Sequence, residues 1–249
     1  TLATWAVFDL LWLVSRLLAG DDGSRVIWAA AVHGGSSLLL WGVSLLMLER
    51  GESGLWWLMQ PSQPILILMF AAGLLRLGFY PFQIVFPENE SVSRTQALIG
   101  LMGPISGVSL LARLLELPGV GRLPTPFVAW GAVSVLWLGI RALTAEKDRQ
   151  GERWAIRAVF LTVVTGAIAA RSSPWLLGGT AAWLLAAALL VNARRWHGAQ
   201  PFWSLPRVFA VVLFIGVPTS AFGQLYSLSL VSAPGPQLLI AVGLALANG

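Results

Sequence analysis

Cysteine is absent from the 249 residues, which removes disulfides, thiolate metal ligands and cysteine-held iron–sulfur clusters from consideration. Charge is scarce, at 11% of residues against 57% hydrophobic, whereas an ordinary soluble domain carries about 25% charged residues. Lysine is nearly missing, Lys147 being the only one, so the excess of positive charge is almost entirely arginine. There are no paired carboxylates at catalytic spacing and no metal-spaced histidines. The chain is therefore expected to have no catalytic site of its own, no metal and no cofactor.

What is present is long apolar runs. Mean hydropathy is +0.76, and the segments 64–75, 127–140, 155–170 and 175–191 are nearly free of charge. About 20 such residues cross the hydrocarbon of a bilayer. Backbone amides in lipid must be satisfied internally, and the runs lack a two-residue alternation, so a helix bundle is predicted over a barrel. The fold class is thus all-α, a polytopic transmembrane bundle forming a single domain over 1–249. Helices are predicted near 1–19, 26–48, 62–86, 94–115, 126–144, 154–170, 174–193, 205–231 and 235–248. Beginning at Thr1 with an apolar span already under way, the sequence reads as a piece of a longer protein.

The net charge of +5 invites a nucleic-acid reading until positions are considered. Arg25, Arg94, Lys147, Arg149, Arg153, Arg194, Arg195 and Arg207 sort to one side of the bundle, and Arg50, Arg122 and Arg171 to the other. That asymmetry makes the first side cytoplasmic and the partner a lipid bilayer rather than nucleic acid. Pro81 and Pro218 each follow a long apolar stretch, and are expected to break the third and eighth helices in two inverted repeats.

Three ionisable side chains stand out inside these spans. Asp9 is the only acidic residue deep in a predicted span, Arg76 precedes Pro81, and His33 is the only intramembrane histidine. An isolated buried charge is costly, so Asp9 and Arg76 are expected to pair. A histidine there suits either proton relay or a structural hydrogen bond. Arg113 and Arg141 sit at helix ends and read as snorkelling anchors.

At these residues the sequence resembles the antiporter-like subunits of respiratory complex I and of related cation/proton antiporters, membrane-bound hydrogenases and inorganic-carbon uptake complexes. Phe8-Asp9-Leu10-Leu11-Trp12-Leu13-Val14-Ser15 looks like the family's fifth helix, with Asp9 at the channel glutamate. Gly34 to Leu46 resembles the sixth helix, and Arg76 through Pro81-Phe82-Gln83 to Pro87 the broken seventh. The segment from Gln96 to Leu114 is similar to the eighth helix, and Gly216-Val217-Pro218 to Gln224 to the broken twelfth. Residues 1–115 would then correspond to helices five to eight and 126–248 to nine to thirteen.

The resemblance implies an ion-motive membrane subunit, in a bacterial inner membrane, that couples proton or cation movement to a partner's chemistry alongside other membrane subunits. The family is thought to move protons through buried lysines. Here Arg76 stands at the seventh-helix lysine, the eighth-helix position falls near Gly103-Pro104, and the twelfth at Gln224 or Leu225. Arginine is too basic to release a proton as lysine can, so the resemblance also admits a degenerate, non-conducting scaffold subunit. The expected ion path is Asp9, Arg76, His33 and Gln224, helped by Ser36, Ser37, Ser106 and Thr165.

Overall fold

The computed structural model describes residues 2–18, 20, 22–52, 59–83, 94–117, 120, 124–146 and 148–193. Its regular elements are seven α-helices: α1 (Leu2–Leu18), α2 (Gly23–Glu49), α3 (Gln63–Arg76), α4 (Arg94–Leu115), α5 (Pro124–Leu143), α6 (Asp148–Ala170) and α7 (Ser173–Ala193). Among the described residues, α2, Thr125–Leu143 of α5 and Arg153–Ala170 of α6 are long and apolar enough to cross a membrane. The shorter apolar helical segments are Gln63–Arg76 and Gly103–Leu115. The helices expected over 205–231 and 235–248 lie outside the described residues, as do Pro218, Gln224 and Lys147.

Two boundaries differ from expectation for identifiable reasons. The third helix, expected over 62–86, begins behind Ser62 with Pro64 in its first turn and ends at Arg76 rather than running to Pro81. Gly78, at φ 71, stops it. The Gly78 amide donates to the Leu75 carbonyl and the Phe79 amide to that of Leu74, the pairing that closes a helix through a left-handed residue. Pro81 falls in the turn that follows. The sixth helix starts at Asp148, six residues before the expected 154, because Arg149, Gln150, Glu152 and Arg153 favour helix although they are polar.

The chain divides into two compact units, Thr1–Leu123 and Pro124–Gly249. In the first, α1 packs on α2 and α4, and α3 lies between α2 and α4. The buried face of α1 carries Asp9, Trp12 and Arg16, at helical spacing. On α2 it carries Val26, Ala29, Val32, His33, Ser36, Leu40, Val43 and Met47. The outward faces are apolar: Leu10, Leu11, Leu17 and Leu18 on α1, and Ile27, Trp28, Leu38, Trp41, Leu45 and Leu48 on α2 are all exposed. Charge inside and bulky hydrocarbon outside reverses the distribution of a water-soluble bundle.

Close approach of α3 and α4 rests on two glycines. A methyl group added at Gly107 would lie 3.0 Å from the Gly73 carbonyl oxygen, and one at Gly73 2.9 Å from Leu111. Small residues of this kind let helix backbones approach where hydrophobic exclusion from water cannot drive association.

In the second unit α6 lies between α5 and α7. Gly131 of α5 faces the Thr165 side chain so closely that an added methyl carbon would sit 2.7 Å from Thr165 Cγ2. Trp183 of α7 is buried, stacks at 4.5 Å on Phe160 and donates its indole N–H to the Ile156 carbonyl at 2.9 Å.

Candidate functional site: a closed buried ionic cluster

Four helices of the first unit converge on Arg76, the last residue of α3, whose side chain is fully buried. Its guanidinium forms a two-pronged contact with Asp9 of α1, Nη1 donating to Oδ1 and Nη2 to Oδ2, each at 2.7 Å. A planar fork opposite a carboxylate is the strong geometry for such a pair. The remaining donors are also used. Nε donates to Ser36 Oγ at 2.9 Å, Nη2 to Ser37 Oγ at 2.8 Å and Nη1 to Ser106 Oγ at 3.2 Å. All five guanidinium N–H groups therefore have an acceptor.

The carboxylate is equally full. Oδ1 accepts from Arg76 and from Nδ1 of His33 at 3.1 Å, and Oδ2 from Arg76 and from the Ser37 hydroxyl at 2.8 Å. The serines close the periphery. Ser36 donates onward to the Ala72 carbonyl and Ser106 to that of Gly103. A buried ion pair is tolerable only when its remaining lone pairs and protons are satisfied, and this cluster meets that condition.

Aromatic rings line it. The Arg76 guanidinium carbon lies 4.6 Å from the Trp5 ring centroid, and Trp12 stacks on His33 at 4.2 Å. Gly103 leaves the space for this. A methyl group there would come within 2.8 Å of Trp12 and 3.3 Å of His33 Cε1. Beside α2 and α3 runs a groove of about 530 Å³ lined by Trp28, Ala31, Val32, Gly35, Leu75, Pro81 and Phe82. The walls of this groove are apolar.

The structure thus brings Asp9, Arg76, His33, Ser36, Ser37 and Ser106 together. Thr165 belongs to the second unit, where its hydroxyl bonds back to the Leu161 carbonyl. Gln224 lies outside the described residues. Arg113 is exposed and reaches Glu116 at 3.5 Å, and Arg141 approaches the rings of Trp137 and Trp154. Sequence reasoning overlooked Arg157, buried on α6 with its guanidinium 4.7 Å from the Trp154 ring centroid. Its position two residues inside the apolar run 155–170 was the available signal. Trp5 and Gly103 were likewise not singled out as site residues, because neither aromatic stacking nor close approach has a one-dimensional signature. Comparison with protein-family models, with curated proteins and with solved structures finds no match.

Proposed function

We propose that the chain is an antiporter-like membrane subunit of an ion-motive complex, in which the Asp9–Arg76 pair and His33 form a polar centre within the bilayer. The observation that carries this reading is the two-pronged Asp9–Arg76 contact, buried with His33 among four helices. Ionisable groups inside membrane helices are expensive and are characteristically retained for ion or proton pathways. The apolar outward faces of α1 and α2 supply the matching lipid-facing surface.

In this proposal the chain makes about nine spans with inverted repeats, each about 20 residues long. It sits in a bacterial inner membrane among other membrane subunits, and protons or cations are the transported species. Arg76 holds its charge permanently, so the pair acts as a fixed dipole that shapes the field along the path and does not exchange protons itself.

A specific observation favours a second reading, a non-conducting scaffold: every donor of Arg76 and every acceptor site of Asp9 is occupied. The two readings separate experimentally. The tagged chain is purified from its native membrane in mild detergent, and proton translocation by the recovered assembly is measured in proteoliposomes. Recovery with other polytopic subunits, and translocation that Asp9→Asn abolishes without disassembly, is the expected result. Unchanged translocation by an intact Asp9→Asn assembly would establish the scaffold, and recovery of the chain alone would contradict both readings.

A further inference from the structure

Among the described residues, one atom of the cluster has no partner. His33 is completely buried, and its Nε2 makes no hydrogen bond to any of them. The opposite ring nitrogen, Nδ1, faces Asp9 Oδ1, which can only accept, so Nδ1 carries the proton and Nε2 presents a bare lone pair. A buried acceptor without a donor is unfavourable, and here it sits beside a network that is otherwise saturated.

We propose that His33 is a single-proton binding site that loads and unloads through Nε2 alone, as a side pocket of the polar centre and not as a link in a wire through Asp9. The saturation of Asp9 is what blocks the wire. Passing the Nδ1 proton to Oδ1 would create an O–H group facing Arg76 Nη1, itself a donor 2.7 Å away, and would break one prong of the ion pair. The onward neighbours are no better: the Ser37 hydroxyl already donates to Asp9 and accepts from Arg76. Loading therefore consists of transfer from a hydronium ion to the Nε2 lone pair. An N–H bond forms, an O–H bond breaks, and water and an imidazolium result. Unloading is the reverse at the same atom.

The charges around the ring set its balance. From α1 come Asp9 and the buried Arg16, and from α3 Arg76. Among the described residues of α4, the backbone of Gly103 approaches the ring edge and Ser106 contributes a hydroxyl to the cluster. Asp9 offsets one of the two arginines, so the group carries one positive charge with the site empty and two with it loaded, the second held 3.1 Å from the carboxylate. The loaded ring keeps its Nδ1 bond to Asp9, which anchors it in both states.

This inference rests on the proposed ion-path reading for its membrane setting, but proton binding at equilibrium requires no flux. The test is ¹⁵N NMR on the histidine-labelled full chain in lipid nanodiscs, with His197→Gln removing the only other histidine. On acidification, Nε2 alone is expected to change from the bare to the protonated signature, with Nδ1 protonated throughout. His33→Asn, whose amide N–H can replace Nδ1 toward Asp9, is expected to keep the thermal stability and lose the uptake of one proton. The opposite tautomer at neutral pH, simultaneous change at both nitrogens, or no change on acidification would each overturn the proposal. Titration in an assembly that translocates nothing would leave the proton site standing and remove the ion-path reading. Translocation without titration would do the reverse.

Discussion

Removing the Asp9 carboxylate is the sharpest perturbation of the cluster. Asp9→Ala takes away an acceptor that receives four hydrogen bonds, two of them from Arg76 at 2.7 Å. Counted separately, bonds to a charged group contribute about 1.5–3 kcal/mol each, and four would exceed the stability of many domains. That sum overstates the loss, because water enters the vacated space and the serines reorient. Breaking one partner of a buried ion pair typically costs about 3–5 kcal/mol, chiefly through the charge left behind, and the lower figure suits a site with three hydroxyls still facing the guanidinium. Arg76→Met in the same background removes the stranded charge. The double variant is therefore expected to be more stable than Asp9→Ala alone, with a coupling of at least about 2 kcal/mol between the positions. Reversible unfolding in mixed detergent micelles, followed by circular dichroism, gives the four corners of the cycle. Additive losses would refute the pairing energetics.

Arg76→Lys keeps the charge but offers three donors in place of a five-donor fork. It is expected to destabilise by about 1–3 kcal/mol in the same assay, since buried hydroxyls and a carboxylate oxygen lose their donors. Gly103→Ala forces a methyl group against Trp12 and is expected to cost about 1–3 kcal/mol as overpacking, read as a lower Tm with a disturbed near-ultraviolet signal. Gly131→Ala meets the stiff Thr165 side chain, and Thr165→Ala is expected to recover part of its loss on combination, which unfolding of the double variant would reveal. Arg171 ends α6 at φ 52, a region that disfavours side chains. Arg171→Gly is accordingly expected to stabilise by about 1 kcal/mol, and an unchanged or lower Tm would contradict that.

The pairing of Asp9 with Arg76 was legible because each is a lone charge in an apolar run, and unlike charges excluded from water have few alternatives. Helix α4 falls on the expected 94–115 because its hydropathy and its polar flanks agree. The early end of α3 was harder to see, since proline at 81 drew attention from Gly78, the residue whose backbone terminates the helix. The start of α6 was missed for the opposite reason, hydropathy being used where helix propensity decided. Saturation of the cluster was not legible at all. It depends on the rotation of α2 placing both Ser36 and Ser37 toward α3, and on Gly107 bringing α4 and Ser106 close, neither of which a list of polar residues encodes.

The account depends most on lipid facing the apolar outer surface while the charges stay within. The absence of cysteine allows single cysteines to be introduced without background, and a nitroxide at Leu38, an exposed apolar position near the middle of α2, reports its surroundings directly. In native-lipid vesicles, relaxation of a Leu38→Cys label is expected to respond strongly to oxygen and hardly to a water-soluble nickel chelate, with the reverse at Ser24→Cys beside the α2 N-terminus. A label at Leu38 that the chelate reaches as readily as at Ser24 would place that face in water and contradict a membrane-embedded ionic cluster.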